Sequence, residues 1–186
     1  MLLRSIVSFV AAAGLTACGT MDNRASVAAV PAAAFASPTA GVAIFSTGAP
    51  DHCIATATFL RVFDAHTRKT VDSAPLIPVD VYVNKSEFSD HHGAVNAIAL
   101  PAGDYYLSPW MANPYLVAVK IPEFTFSIGA GETVYLGEVF MPVSCSRSTA
   151  FVITDQFERD IPLATAKNPA VAGHAPVKRL LVGQPR

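Results

Sequence analysis

The residues of this sequence best suited to chemistry are a carboxylate followed by two imidazoles, Asp90, His91 and His92. Carboxylate oxygens and imidazole nitrogens ligate transition metals, so this run is a candidate metal site. Adjacent residues on a strand point to opposite faces, whereas in a loop the two imidazoles can converge. A tetrahedral zinc site needs more convergent ligands than the run guarantees, so we favour a solvated turn. A metal-binding protein or enzyme that uses these three residues stays open as an alternative.

Patterns for other kinds of catalysis are missing from the sequence. No serine lies in a G-x-S-x-G elbow, and no glycine-rich phosphate loop leads into a predicted helix. Glu123, Glu132 and Glu138 are spread along predicted strands, where a solvated outward face is the default interpretation. We therefore expect a protein that is not an enzyme and has no cofactor.

Cys18 is a candidate for covalent modification, because it ends a short apolar run that begins behind a single positive charge, Arg4. The sequence Leu-Thr-Ala-Cys has the pattern of a bacterial lipobox, in which the cysteine thiol receives a diacylglycerol before cleavage. Residues 1–17 would be the signal peptide and lipidated Cys18 the first mature residue. Gly19, rather than Asp, after the cysteine resembles the outer-membrane sorting pattern of enteric bacteria. We therefore expect a lipid-anchored protein of the cell envelope, on the outer membrane of a Gram-negative bacterium.

Two alternatives to the lipoprotein signal fit less well. An ordinary cleaved signal usually ends in an A-x-A-like site, and Ala11–Ala13 is a weak one. An uncleaved anchor is disfavoured, because the apolar run is shorter than the ~20 residues that span a bilayer.

The remaining cysteines, Cys53 and Cys145, are too far apart for a local C-x-x-C redox or zinc pattern. Thiols outside the cytoplasm tend to be oxidised, so we expect a disulfide between them, with two buried free thiols as the alternative.

The chain divides into four segments by composition. Residues 1–17 are the signal peptide, and 18–40 are rich in Ala and Pro, which favours a tether. Residues 41–167 form one domain of ordinary size, and 168–186, with several Pro and Gly, are expected to be extended or mobile. The formal net charge of −1 gives no electrostatic footprint for nucleic acid.

Short runs of β-branched and aromatic residues between turn signals predict eight or nine strands within 41–154. The clearest alternation is Val79, Val81 and Val83, and tight hairpins are predicted at Pro101–Gly103 and at Gly129–Gly131. Residues 155–167 predict a helix, with Pro162 expected to kink or split it. The predicted fold is an all-β, antiparallel two-sheet sandwich with one short C-terminal helix.

The L-P-A-G-D-Y run at 100–105 and the G-E-T-V-Y-L-G run at 131–137 resemble bacterial lipoproteins with a transthyretin-like, or prealbumin-like, sandwich. The resemblance covers about residues 41–154 and implies a fold without an activity. The lipoprotein of type VI secretion machines is similar in fold. This likeness makes an accessory subunit of a secretion or surface machine an alternative function.

The only Trp of the chain lies in the run 109–115, which also contains Met111 and Tyr115. Exposed aromatic and Met side chains are typical of contact surfaces, so Trp110, Met111 and Tyr115 are the candidate partner-binding residues. The alternative, which we favour, is that Trp110 caps the end of the sandwich core, because large aromatics are usually mostly buried. The leading hypothesis is a non-catalytic binding or assembly module, held at the membrane by lipid, with an envelope protein or glycan as partner.

Overall fold

The computed structural model describes residues 23–51, 57–112, 121–142 and 151–184. Ten strands and one α-helix form the framework. The strands are β1 (Ala40–Ala49), β2 (Thr58–Asp64), β3 (Ile77–Pro78), β4 (His92–Pro101), β5 (Gly103–Met111), β6 (Glu123–Ile128), β7 (Thr133–Phe140), β8 (Val152–Thr154), β9 (Val177–Lys178) and β10 (Val182–Gln184). Helix α1 spans Phe157–Lys167, and 3-10 turns span Val27–Ala29, Ala32–Ala36 and Pro169–Gly173.

The strands form two five-stranded sheets. Sheet A has the order β4-β1-β7, with β8 and β9 both paired to β7, and sheet B has the order β10-β6-β5-β2-β3. Every pair in sheet B is antiparallel, while β1 and β9 run parallel to β7. The predicted fold class, an all-β two-sheet sandwich with one short helix, is confirmed.

Strand β1 is buried on both of its faces, which explains its nearly continuous apolar sequence. Ala43 and Phe45 point into the main core between the sheets. Val42 and Ile44 point the other way, into a second core beneath α1 and the 3-10 turns. The protein therefore has three layers, and sheet A is the middle one.

The two predicted hairpins are wrong, because each turn joins the two sheets. Pro101 ends β4 in sheet A, and Gly103 begins β5 in sheet B. Gly129–Gly131 likewise leads from β6 in sheet B to β7 in sheet A. Proline and glycine allow a sharp change of direction, but they do not determine which strands pair across it.

The segment 79–83 is not a strand, although its alternation predicted one most clearly. Only Ile77–Pro78 pairs with β2, and the chain then turns away. Val79 and Val81 are buried, whereas Val83 is exposed. The buried Asp80 carboxylate accepts a hydrogen bond from the Thr58 backbone N–H and so fastens this turn to β2.

The residues before β1 and those directly after α1 pack on sheet A, where the sequence predicted a tether up to Ala40 and an extended or mobile tail. Val27 and Phe35 are fully buried in the second core. Asn168 Nδ2 donates to the carbonyl oxygens of Val27 and Val30, at 3.2 and 2.9 Å. These hydrogen bonds join the segment after α1 to the segment before β1. The tether prediction is wrong for residues 23–36, because these apolar side chains cover the sheet.

The prediction of an extended or mobile tail holds for the extended strands β9 and β10 and is wrong for Pro169–Gly173, which forms a 3-10 turn. Val171 and Leu181 are buried, and β9 and β10 extend the two sheets. The helix prediction is nearly right: α1 begins at Phe157, whose N–H donates to Asp155 Oδ1 at 3.1 Å. The helix continues through Pro162, so of the predicted kink or split the split does not occur. Within the described ranges, no helix is both long enough and apolar enough to cross a membrane.

Candidate functional site

Trp110 lies near the end of β5, on the face of sheet B that points away from the main core. Tyr105 and Leu107 of β5 belong to that core, so strand alternation places Tyr106 and Trp110 on the outer face. The Trp110 side chain is 38% exposed and belongs to neither core. The prediction that Trp110 caps the sandwich core is therefore wrong.

Four aromatic side chains form a row on this outer face. In the register of β2 against β5, Phe59 lies opposite Trp110 and Phe63 lies opposite Tyr106. The Phe63 and Tyr106 rings are stacked with centroids 5.0 Å apart, and the Phe59 and Trp110 centroids are 5.9 Å apart. Such directly opposite pairs are the closest side chains in an antiparallel sheet. We call Phe59, Phe63, Tyr106 and Trp110 the aromatic face.

Two arginines lie over the aromatic face. The Arg61 guanidinium carbon is 4.4 Å from the centre of the Trp110 ring, and that of Arg68 is 4.4 Å from the centre of the Tyr106 ring. Arg68 also donates two hydrogen bonds to the Glu123 carboxylate, which raise the pKa of Arg68. Tyr106 beneath Arg68 is buried, whereas Trp110 beneath Arg61 stays exposed.

Arg61 differs from Arg68 in having no ion pair in the part of the chain that the structure describes. It lines a cleft of about 290 Å³ together with Asp72 and Leu76. The contacts of the exposed indole with the Arg61 guanidinium and with Phe59 restrict its position before any partner arrives. The arrangement can accept a flat or apolar group together with a carboxylate.

The other predicted contact residues are only partly described. Met111 ends β5 and is half-buried, opposite Thr58 in the sheet register. Tyr115 lies outside the described residues, and its contact role stays a prediction. Cys18, Cys53 and Cys145 also lie outside them, so lipidation and the disulfide stay predictions as well.

The predicted metal cluster is not brought together. His91 points to the second core, where its Nε2 lies 2.9 Å from Glu138 Oε1 and its Nδ1 lies 2.9 Å from Asp90 Oδ1. His92 packs against Tyr82 with the two rings tilted and their centroids 4.5 Å apart. No group of three or more His, Cys, Asp or Glu suited to a metal occurs among the described residues. The predicted solvated turn is also wrong for the two imidazoles, because both are largely buried.

Glu138 is the buried partner that the sequence did not reveal. Its carboxylate accepts hydrogen bonds from Arg159 Nη2 and Thr154 Oγ1, both at 3.0 Å, in addition to its contact with His91. The side chain is almost fully buried at the end of β7. The default interpretation of Glu138 as an outward, solvated residue is therefore wrong.

A bulge in β7 is the physical reason for this burial. Ile44 lies opposite Tyr135 and Ser46 lies opposite Glu138, so β7 contains one extra residue between the two pairs. Gly137, with a φ of +92°, lies at that point. The extra residue turns Tyr135 and Glu138 toward the same side, beneath α1. Strict alternation would have separated them.

Asp160 completes the buried network from α1. Its carboxylate is fully buried and accepts from Ser46 Oγ at 2.6 Å, Tyr135 Oη at 2.8 Å and Arg159 Nε at 2.8 Å. Burial, followed by the charge of Asp160, raises the pKa of Tyr135. Burial opposes the Arg159 charge, but Asp160 and Glu138 together raise the pKa of Arg159 above its ordinary value.

The buried network fastens α1 to sheet A rather than offering a reacting group. Its carboxylates, hydroxyls and guanidinium bind one another, and Arg159 also lies 3.8 Å over the Phe88 ring. Among the described residues, the one buried side-chain polar atom without a partner is Thr133 Oγ1, which lies outside this network.

Comparison with known proteins does not assign the chain to a family. No protein-family model matches the chain, and no curated protein is significantly similar to it in sequence. The fold is thus a β-sandwich with two contrasting regions. A buried charge network, in which the groups bind one another, lies beneath α1, and the exposed aromatic face lies on sheet B.

Proposed function

We propose that this protein is a non-catalytic, lipid-anchored module of the cell envelope that binds its partner through the aromatic face of sheet B. The observation that carries the proposal is the exposed Trp110 with the Arg61 guanidinium over its ring, which has no ion pair among the described residues. Lipid attached to Cys18 would supply the anchor, and the sandwich would display the contact surface.

The partner chemistry follows from what the face leaves unsatisfied. Trp110 offers a large apolar surface whose position is fixed by Phe59 and Arg61, so little side-chain entropy is lost on binding. Arg61 has no carboxylate partner of its own in the described ranges, and so it is available to an acidic group. An envelope protein segment or glycan that presents an apolar or flat group beside a carboxylate fits both features.

The test uses a photo-crosslinking amino acid at Ser108, which lies between Tyr106 and Trp110 on the same face. Crosslinking is performed in intact cells, and products are identified by mass spectrometry. The control carries the same amino acid at Val152, which is 47% exposed on β8 of sheet A. We expect a discrete product from position 108 and none from position 152.

Trp110→Ala then separates binding from folding. Interface aromatics often contribute more than ~2 kcal/mol of binding free energy, so the product from position 108 should fall at least tenfold. Thermal unfolding of the same variant should stay close to that of the wild type. An unchanged product, or an equal product from position 152, would contradict the proposal.

A further inference from the structure

The described chain begins at one open edge of the sandwich. Asn23 Nδ2 donates to the Asn96 side chain at 3.0 Å, and Ala97 N–H donates to the Ala25 carbonyl at 2.8 Å. These contacts place residues 23–25 along β4, the edge strand of sheet A. The facing edge of sheet B is the short strand β3.

The packing of residues 23–36 leaves a very short connection to the predicted anchor. Asn23 is the fifth residue after Cys18, so the two Cα atoms can be no more than about 18 Å apart, even with the chain fully extended. A lipid on Cys18 would therefore hold this edge of the sandwich beside the bilayer.

The same edge carries exposed apolar and cationic side chains. Leu76 is 43% exposed and Val83 is 75% exposed. Arg24 lies with Leu76 on a cleft of about 360 Å³, and Lys85 lies with Val83 on an adjoining cleft of about 290 Å³. Both clefts are lined by Asn23, Pro78 and Asn84, so the four side chains occupy one surface. We call Arg24, Leu76, Val83 and Lys85 the edge surface.

The charges of the edge surface suit anionic lipid. Neither Arg24 nor Lys85 has an ion pair within the described residues. The one acidic residue on these two clefts, Glu87, is bound by Lys167. Lysine and arginine near a membrane surface attract anionic headgroups, and exposed aliphatic side chains enter the interface.

We propose that the edge surface lies against the bilayer, with Leu76 and Val83 in the headgroup region and Arg24 and Lys85 on lipid phosphates. This inference rests on the lipid anchor of the proposed function. Trp110 is on β5, two strands in from β3, and it is left free for a partner.

The test is depth-dependent fluorescence quenching of the full-length lipidated protein in vesicles. Because Trp110 is the only Trp of the chain, Val83→Trp combined with Trp110→Phe gives a single reporter on the edge surface. The matched control is Val152→Trp combined with Trp110→Phe, on the edge of sheet A opposite β4. The vesicles contain phosphatidylethanolamine and phosphatidylglycerol, with or without brominated acyl chains.

Brominated lipid should quench the reporter at position 83 by at least half and leave the reporter at position 152 nearly unchanged. Replacing Arg24 and Lys85 by Gln should reduce the quenching in phosphatidylglycerol vesicles, with a smaller change in purely zwitterionic vesicles. Equal quenching at both positions, or none at position 83, would overturn the proposed orientation while leaving the anchor intact. Mass spectrometry that finds no acyl chain on Cys18 would overturn the anchor and the orientation together.

Discussion

The outer face of sheet A is covered by α1 and by the 3-10 turns on either side of the sandwich strands, whereas the outer face of sheet B leaves Trp110 exposed. Both faces carry arginines beside aromatic rings. Arg159 lies over Phe88 and binds Glu138 and Asp160, while Arg61 lies over Trp110 with no described carboxylate partner. The same types of side chain therefore occur in a closed and in an open arrangement.

The difference between the two faces distinguishes a structural network from the proposed binding surface. Charges buried beneath α1 must be matched within the protein, because an unpaired buried charge costs several kcal/mol. Arg61, over Trp110, is only partly buried, so a missing partner costs less there than beneath α1. Completeness of the polar partners, rather than the presence of polar residues, is the reason why we propose the outer face of sheet B for recognition.

Removal of Arg159 should give the largest effect on stability. Arg159→Met leaves the buried carboxylates Glu138 and Asp160 without their cation, and we expect a loss of ~3–5 kcal/mol in the free energy of unfolding. Chemical denaturation of the purified protein measures this loss. Arg179→Met is the matched control, because its ion pair with Glu132 is partly exposed and should contribute at most about 1 kcal/mol. Equal losses in the two variants would show that the network beneath α1 is not the closed arrangement described.

The bulge in β7 should give the next largest effect. Gly137→Ala forces a side chain into a positive φ and places its Cβ 2.9 Å from the Thr154 carbonyl oxygen. We expect a loss of ~1–3 kcal/mol, measured by the same denaturation. Gly173→Ala is the control, since its added Cβ would meet no atom within 4 Å. A Gly137→Ala variant as stable as the Gly173→Ala variant would contradict the role given to the bulge.

The fold class was predictable from the sequence because it depends on many residues at once. The site was not, because it depends on a few residues that break the local patterns. The bulge at Gly137 reverses the alternation of side chains along β7, and so Glu138 is buried. The spacing of residues in the sequence does not reveal this bulge. The turns at Pro101–Gly103 and Gly129–Gly131 were located correctly, yet their strands pair elsewhere.

The tether illustrates a second limit of the sequence pattern. Val27 and Phe35 are too sparse in an Ala-rich segment to show a period, but each fills a place in the second core. The sequence singled out Trp110 as a candidate contact residue but favoured its burial in the core, and that burial is wrong. The exposure of Trp110 depends on the register of β5 against β2. The local sequence does not specify which strands pair or in which register.

The two adjacent histidines offer a pH test of a smaller effect. Burial lowers the pKa of His92 below its ordinary value of 6.5, although Asp51 and Asp80 act in the opposite direction and His91 acts in the same one. A lowered pKa in the folded state means that the unfolded chain binds the proton more tightly. This contribution to stability is therefore present above pH 6.5 and is lost as the pH falls below it.

Denaturation midpoints measured between pH 7.5 and pH 5 should show this loss in the wild type. His92→Phe keeps a ring against Tyr82 but removes the titrating group, so its midpoint should fall less over the same range. A variant with the same pH dependence as the wild type would exclude His92 as the cause.

The smallest expected effect is the contact between Arg61 and Trp110, which decides whether the open face is organised before binding. A double-mutant cycle with Arg61→Met, Trp110→Leu and the double variant isolates this contact, because the other neighbours are common to all four proteins. A guanidinium 4.4 Å from an exposed indole should give a coupling of about 0.5–1 kcal/mol in the free energy of unfolding. If the coupling is close to zero, the indole is not held by Arg61 in solution, and the entropic advantage argued for the aromatic face is lost. If the coupling is present, Arg61→Met should also reduce the yield of the crosslink from position 108. The reduction should be smaller than that caused by Trp110→Ala, because Arg61→Met removes the charge but leaves the apolar surface of Trp110.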